Sequence, residues 1–152
     1  DILFMGPPGV GKSHLAQALG YQAIKSGRTV FYTSIFDMVR DLHEEEDIPG
    51  KRTRLNKYLK CDLLIIDDMG IKQLPGRSGE YLYEIVMRRH EVRSTIMTSN
   101  RPLEEWGRLV GDIPSATAIL DRFMQHAEII QITGKSYRMK DRIANQSSKA
   151  EG

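Results

Sequence analysis

The stretch Gly6-Pro7-Pro8-Gly9-Val10-Gly11-Lys12-Ser13 matches the pattern G-x-x-x-x-G-K-[ST] at every fixed position. An apolar run over residues 2–5 precedes it and predicts a buried strand, and Leu15, Leu19 and Ala23 follow it at helical spacing. Glycines let a loop in this setting curl until successive backbone N–H groups converge on phosphate oxygens, and the N-terminus of the next helix adds a positive dipole end. The stretch therefore predicts a phosphate-binding P-loop rather than a surface turn rich in glycine and proline.

Two side chains of this loop have specific expected roles. Lys12 would reach the terminal phosphates of a nucleotide, and Ser13 would offer its hydroxyl to Mg²⁺, which prefers oxygen ligands. The predicted nucleotide-binding set is Gly6, Pro7, Pro8, Gly9, Val10, Gly11, Lys12, Ser13 and His14. We therefore expect a nucleoside triphosphate and Mg²⁺ as cofactors.

The composition describes an ordinary globular domain: 152 residues, of which 40% are hydrophobic and 28% charged. We place this domain at residues 1–142 and expect residues 143–152 to form a polar, disordered tail. The formal net charge of +2 is too mild to indicate nucleic-acid binding by itself. The single cysteine, Cys61, excludes an internal disulfide, and no apolar run approaches the ~18 residues of a membrane span, which favours a cytoplasmic protein. Because the chain lacks an initial Met and starts almost directly on a strand, we expect a longer protein with an upstream segment.

Strands and helices alternate along the sequence. Apolar or β-branched runs predict strands at residues 2–5, 29–33, 62–68, 94–99 and 128–132, and helical spacing predicts helices between them, with Ser34 as a helix N-cap. This alternation predicts a three-layer α/β fold around a five-stranded parallel sheet that binds ligands at the carboxyl ends of its strands. The P-loop, the pair Asp67-Asp68 and Asn100 all fall at such ends.

The acid pair is the expected partner of the P-loop. Asp67 would hold the Mg²⁺ water shell beside Ser13, so the predicted metal ligands are Ser13 and Asp67, and Asp68 would polarise the attacking water. The alternative is that these strand-end carboxylates cap a helix or face solvent.

Two further side chains complete the predicted catalytic set of Lys12, Asp67, Asp68, Asn100 and Arg122. Asn100 could hydrogen-bond the attacking water or the γ-phosphate through its amide. Arg122 could stabilise developing charge on phosphate as an arginine finger. The alternatives are a turn residue at Asn100 and a surface salt bridge of Arg122 with Asp121 or another acid.

Four segments, residues 6–13, 63–68, 98–100 and 120–123, stand in an order that resembles the AAA+ ATPase superfamily. More narrowly, the chain from Ile2 to about Arg142 is similar to the branch that contains the IstB-type transposition helpers of insertion sequences and the DnaC-type helicase loaders. The late run Gly134-Lys-Ser-Tyr-Arg138 is also a feature of this branch.

The resemblance implies a shared active site. Asn100 would be the first sensor residue, and Arg122 would reach into the ATP site of a neighbouring subunit, so that the protein works as a homo-oligomer. Most AAA+ enzymes have Asp-Glu where this chain has Asp67-Asp68, and the shorter acid implies slow hydrolysis. Too little chain follows the fifth strand for a helical lid, which argues against Arg138 as a second sensor. The segment that would contact adenine in similar proteins precedes the first strand.

Basic residues between the second and third strands are the candidate DNA contact: Lys51, Arg52, Arg54 and Lys57. The similar AAA+ proteins carry an extra helix at this place, which favours sequence-independent binding to the backbone of duplex DNA. The alternative is a solvated face that balances the acids at residues 44–47. Arg88, Arg89 and Arg93 could form a second basic face. The four histidines, at positions 14, 43, 90 and 126, have no carboxylate or cysteine at ligand spacing and are interpreted as structural or solvent-facing.

Taken together, the motifs and the resemblance predict an ATPase that binds and remodels DNA and assists a transposase in DNA transposition. ATP binding would drive self-assembly on DNA, and hydrolysis would reset it. A helicase loader would differ in its partner rather than in its ATP site. A stand-alone kinase or GTPase is disfavoured, because no Arg-rich lid or Asn-Lys-x-Asp element is evident, and a nucleotide-gated scaffold without hydrolysis remains open.

Overall fold

The protein is described from a computed structural model that covers residues 1–50 and 52–139. The predicted domain end at residue 142 and the predicted disordered tail lie outside these residues. Five parallel strands form one sheet in the order β2-β3-β4-β1-β5. They are β1 (Ile2–Met5), β2 (Val30–Ser34), β3 (Leu63–Met69), β4 (Ser94–Ser99) and β5 (Glu128–Gln131). The five-stranded parallel α/β fold is confirmed, with strand bounds within one or two residues of those predicted.

The helices connect the strands in the alternation that the sequence predicted. They are α1 (Lys12–Lys25), α2 (Ile35–Glu46), α3 (Thr53–Lys60), α4 (Ser78–Arg89), α5 (Trp106–Val110) and α6 (Ile113–Met124), with a 3-10 turn at Leu103–Glu105 before α5. Ser34 caps α2 as predicted, because its hydroxyl accepts a hydrogen bond from the Asp37 amide at 3.0 Å. No helix among the described residues is both long and apolar enough to cross a membrane.

The central strands β1, β3 and β4 bury side chains on both of their faces, since alternate side chains point to opposite sides of a sheet, whereas the edge strand β5 is exposed. On one face, Leu3, Leu64 and Met97 belong to the main core with the apolar sides of α2, α3, α4, α5 and α6. On the other face, Phe4 and Ile65 belong to a smaller cluster with α1. The sheet is therefore the middle of three layers, and α1 follows the P-loop directly onto the less crowded face.

The contact between α1 and the sheet differs from the apolar spacing in the sequence. Ala16 and Gly20 are buried against the sheet, whereas Leu15 and Leu19 are 43% and 40% exposed. A Cβ atom at Gly20 would lie 2.9 Å from Cδ1 of Ile65, so the helix approaches the strand too closely for larger side chains. The prediction of a helix was right, but the helix packs through its small residues.

Candidate nucleotide site

The P-loop lies between β1 and α1, at the carboxyl edge of the sheet. Gly9 and Gly11 have φ angles of 81° and 99°, a backbone region that favours glycine, and Gly11 is the N-cap of α1. The Lys12 ammonium donates hydrogen bonds to the carbonyl oxygens of Gly6 and Pro7, both at 2.8 Å. Burial lowers the pKa of Lys12, and the nearby Asp67 and Asp68 carboxylates oppose that shift. The loop thus brings backbone amides, a helix N-terminus and one cation together at a single point.

The loop and the strand ends line a cleft of about 920 Å³, a volume suited to a nucleotide-sized ligand. From the predicted set, it brings together Lys12, Ser13, His14, Asp68 and Asn100 with the loop residues Pro8, Gly9, Val10 and Gly11. Gly6 and Pro7 contact Lys12 directly, as described above. The P-loop and the ends of β3 and β4 are thus neighbours in space, as the sequence analysis expected.

Asp67 is the most heavily hydrogen-bonded side chain of the site. Its Oδ1 accepts from the Ser13 hydroxyl at 2.9 Å, from the Asp68 amide at 3.0 Å and from the Thr98 hydroxyl, and its Oδ2 accepts from the Tyr32 hydroxyl. Burial would raise the pKa of Asp67, but the hydrogen bonds from Thr98, Tyr32 and Ser13 outweigh it and lower the pKa from its ordinary value. Asp67 is therefore held as a carboxylate in a fixed orientation.

The oxygen atoms of Ser13 and Asp67 suit Mg²⁺. Two neighbouring ligands of an octahedral Mg²⁺ with bonds of about 2.1 Å lie about 3.0 Å apart. Oγ of Ser13 and Oδ1 of Asp67 are separated by 2.9 Å, and both are hard oxygen donors. These two residues could hold the ion directly or through its water shell.

A bulge in β3 positions the second acid. Ile66 pairs with Met97 and Met69 pairs with Ser99, so three steps along β3 match two along β4. Asp68, inside the bulge, has a φ of 69° and lies in the cleft, while Asp67 points at Ser13. Burial and the neighbouring charge of Asp67 raise the pKa of Asp68, and Arg138 and Lys12 oppose this. A carboxylate with a raised pKa, beside phosphate-binding groups, suits a group that polarises water.

Sequence reasoning missed several residues of the site. Tyr32 and Thr98 hold Asp67 from two strands, and burial and the hydrogen bond to Asp67 raise the pKa of Tyr32 to about 12. Arg101 lines the cleft and brings a further cation to it. Two of these residues, Thr98 and Arg101, stand close to Asn100 in the sequence. Their place at the carboxyl end of a strand, where ligands bind in parallel sheets, could have indicated that they belong to the site.

The segment after β5 folds back over the P-loop. The Tyr137 amide donates to the Gly9 carbonyl at 2.9 Å, and a Cβ atom at Gly9 would lie 2.1 Å from Oγ of Ser136. This contact places Arg138 at the cleft, where its charge acts on both Lys12 and Asp68. The sequence analysis argued against Arg138 as a second sensor because it expected no lid. A short return segment is nevertheless enough to bring this side chain to the cleft.

Arg122 lies away from this cleft in the described part of the chain. It is exposed in the last turn of α6, which leads into the start of β5, at the sheet edge opposite the P-loop. Its charge acts on Glu91, beside the start of β4. Arg122 is thus not among the residues that line the nucleotide cleft of its own chain.

Two of the four predicted DNA-contacting residues are paired with acids of α2. Arg54 contacts Glu44 at 2.5 Å, and Lys57 contacts Asp41 at 2.6 Å. Arg52 is exposed, and Lys51 lies outside the described residues. In the second basic face, Arg89 is 1% exposed, so it cannot offer its charge to DNA. That part of the expectation is wrong, because the side chain fills the core instead.

A five-stranded parallel sheet in this order, a P-loop after β1 and an acid pair at the end of β3 define an ATP-binding domain of the AAA+ type. Solved structures have the same fold. The crystal structure of the DnaC helicase loader matches with a TM-score of 0.71 and 27% identity, covering 86% of this chain and 77% of that chain. AMPPCP-bound DnaA from Aquifex aeolicus matches with a TM-score of 0.72 and 23% identity, covering 95% of this chain and 45% of that chain.

Within that class, the chain belongs to the family of IstB-like ATP binding proteins, which matches it over residues 1–145. It is 39% identical over 142 residues to the ATP-binding protein of insertion sequence IS5376 from Geobacillus stearothermophilus, covering 93% of this chain and 57% of that protein. It is 34% identical over 142 residues to the ATP-binding protein of insertion sequence IS21 from Pseudomonas aeruginosa, covering 93% of this chain and 54% of that protein. The chain thus spans a little more than half the length of these relatives.

Proposed function

We propose that the protein hydrolyses ATP in the cleft at the carboxyl edge of the sheet. The observation that carries this proposal is the convergence of the P-loop, Asp67 and Asp68 on one point, with Ser13 and Asp67 in direct contact at 2.9 Å. Lys12 would move from the loop carbonyls to the β- and γ-phosphates, and Asp68 would orient and polarise the attacking water. Asn100 would hydrogen-bond that water or the γ-phosphate. Mg²⁺ held by Ser13 and Asp67 would neutralise phosphate charge.

The second part of the proposal is that the active site is completed by a neighbouring copy. Arg122 is exposed and lies at the sheet edge opposite the cleft, so it would act as an arginine finger in trans. ATP binding would then favour self-assembly, since the phosphates gain the additional cation of Arg122 only at a subunit contact. Hydrolysis would remove the γ-phosphate that Arg122 contacts and so weaken the assembly.

The third part is that assembly occurs on DNA and serves a transposase. Relatives named as ATP-binding proteins of insertion sequences support a role in DNA transposition and recombination. The stretch of sequence between α2 and α3 would meet the DNA backbone through Lys51 and Arg52. Arg54 and Lys57 of α3 would have to exchange carboxylates for phosphates. Replacing Lys51, Arg52 and Arg54 together by Ala should weaken DNA affinity and flatten its salt dependence. An unchanged affinity would remove this part of the proposal.

A helicase loader is the second candidate function, and the likeness to the DnaC helicase loader at 27% identity favours it. The two candidates share the ATP site and differ in the partner. Stimulation of ATP turnover by a transposase of the same insertion sequence would support the first, and stimulation by a replicative helicase would support the second.

The experiment that tests the ATPase proposal measures hydrolysis per subunit against protein concentration, with and without duplex DNA. We expect specific activity to rise with both in the wild type and to stay low in Arg122→Ala, which should still bind ATP. Arg108→Ala, an exposed arginine of the neighbouring helix α5, is the matched control and should behave like the wild type. Asp67→Asn should abolish turnover.

Two outcomes would contradict the proposal. Specific activity that is constant with concentration and indifferent to Arg122 would mean that each chain works alone. ATP binding with no turnover at any concentration would indicate a nucleotide-gated scaffold. The short Asp68 side chain, in place of the usual Glu, is compatible with that function.

A further inference from the structure

Three side chains with metal-binding atoms meet at the sheet edge opposite the nucleotide cleft. Nε2 of His126 lies 2.9 Å from Oε1 of Glu91, and Nε2 of His90 lies 3.8 Å from the same oxygen. The two imidazole rings have centroids 5.3 Å apart. Because Glu91 and His126 are 35 residues apart in sequence, the spacing of the histidines gave no sign of this cluster.

The fold brings the three residues together through two helix ends. The amide of His90, the C-cap of α4, donates to the Val86 carbonyl at 2.9 Å, and Glu91 follows with a φ of 58°. His126 follows the end of α6 and precedes β5, and α4 packs against α6. The left-handed turn, which a glutamate rarely adopts, carries the Glu91 carboxylate back to the histidines. Side-chain exposure increases from 11% at His90 to 53% at His126 and 65% at Glu91.

We propose that His90, Glu91 and His126 bind one divalent late transition-metal ion, with Zn²⁺ as the best match. A tetrahedral Zn²⁺ with bonds of about 2.1 Å to nitrogen and oxygen holds its ligand atoms about 3.4 Å apart. The observed separations of 2.9 and 3.8 Å lie on either side of this value, and all three ligand atoms lie within 4.8 Å of one another. Movements of about 1 Å, in two side chains that are mostly exposed, would give that geometry.

The donor set also distinguishes this site from the nucleotide site. Two imidazoles and one carboxylate suit Zn²⁺, Cu²⁺ or Ni²⁺, whereas Mg²⁺ prefers oxygen ligands alone. The nearly buried His90 forms the floor, and the open side faces solvent, where water would supply the fourth ligand. The site therefore takes a different ion from the one expected at Ser13 and Asp67.

The test is a metal titration of the untagged, metal-free chain. We expect one equivalent of Co²⁺ to give the visible absorption of a tetrahedral nitrogen and oxygen site, without the thiolate charge-transfer band that Cys61 would add. Zn²⁺ should displace it and raise the melting temperature, because an ion that binds only the folded state stabilises it. Mg²⁺ at the same concentration should do neither.

Two variants separate metal binding from folding. His126→Ala should weaken Zn²⁺ binding by at least about tenfold. Glu91→Gly should lose binding as well, although glycine suits the φ of 58° and should leave the melting temperature of the metal-free chain unchanged or higher. His43→Ala, a histidine of α2 outside the cluster, should bind like the wild type. Zn²⁺ affinity that is equal in the wild type, His126→Ala and Glu91→Gly, or the absence of a saturable equivalent, would overturn the proposal.

Discussion

Replacing Arg89 tests whether a buried, fully hydrogen-bonded guanidinium stabilises the fold. The Arg89 guanidinium lies in the core at 1% exposure and donates to the carbonyl oxygens of Tyr58 and Cys61 at 2.8 and 2.9 Å, and to the Thr95 hydroxyl at 3.0 Å. It also contacts the Ser94 carbonyl. A single side chain thus joins the end of α3 to the beginnings of β3 and β4. The change to test is Arg89→Met, which keeps most of the length and apolar contact but removes every donor.

The expected cost follows from the groups left without Arg89. A buried polar group that loses its partner costs about 1–3 kcal/mol, and hydrogen bonds from a charged donor are at the strong end of the range. Taking the low end, about 1 kcal/mol, for each of the four oxygen acceptors, less the small gain from burying an apolar side chain, gives a loss of about 3–4 kcal/mol. A domain of this size has about 5–15 kcal/mol in total, so the variant should fold but be weakly stable.

Urea unfolding followed by circular dichroism measures this loss. With a slope of about 2 kcal/mol per molar urea, the midpoint should fall by about 2 M. Arg88→Met is the matched control, because Arg88 is exposed and pairs only across one helix turn with Glu84 at 3.1 Å, so it should change stability by less than about 0.5 kcal/mol. Equal effects of the two substitutions would refute the role assigned to Arg89.

Three further predictions concern the site and its supports. Tyr32→Phe removes a hydrogen-bond donor to the Asp67 carboxylate. It should lower the affinity for ATP with Mg²⁺ about tenfold in equilibrium binding and leave ATP binding without Mg²⁺ unchanged. An equal loss of affinity in both conditions would show that Tyr32 has another role. Gly9→Ala should displace the segment after β5 that folds back over the P-loop, since the new Cβ would lie 2.1 Å from Oγ of Ser136. Limited proteolysis after β5 should therefore be faster in this variant. Adding Ser136→Gly should partly reverse the effect. Glu45 accepts hydrogen bonds at 2.7 and 2.9 Å from two backbone amides at the start of α3; burial would raise its pKa, but these hydrogen bonds outweigh it and lower the pKa. The contribution of Glu45 to the free energy of unfolding is therefore complete above its unfolded pKa of about 4.3 and is lost as the pH falls through the lower folded pKa. In urea titrations from pH 6 to pH 3, the wild type should lose about 1 kcal/mol more stability than Glu45→Gln. Equal pH profiles of the two proteins would contradict this.

The sequence was sufficient for the order of the elements and for the centre of the site. The P-loop pattern predicts both local structure and ligand, because a strand, a tight loop and a helix in that order present backbone amides to phosphate. Apolar runs with acids or an amide at their ends then placed Asp67, Asp68 and Asn100 at the same edge of a parallel sheet. These are local signals, so a single sequence contains them.

What the sequence could not supply depends on contacts between distant residues. The bulge at Asp68 is a register shift between β3 and β4, and no local sequence pattern predicts it. Arg89 was predicted to be one member of a basic surface. Its burial depends on carbonyl oxygens of α3, of the link between α3 and β3, and of β4, and a local pattern does not show these contacts. Arg138 reaches the cleft through a return of the chain over Gly9, a contact across 128 residues of sequence.

The distribution of charge also bears on how DNA would be held. Several basic side chains already have partners within the chain: Arg54 with Glu44, Lys57 with Asp41, Arg77 with Glu46 and Arg88 with Glu84. Others line the cleft or lie in the core, as Arg138 and Arg89 do. Each subunit would then neutralise few phosphates, and since affinity and its salt dependence both grow with the number of phosphates contacted, one copy would bind weakly. Copies joined through shared ATP sites would add their contacts, so that DNA binding and assembly would support each other. On this argument the salt dependence of DNA binding should be steeper with ATP than without it, and equal slopes would mean that assembly contributes nothing to the DNA contact.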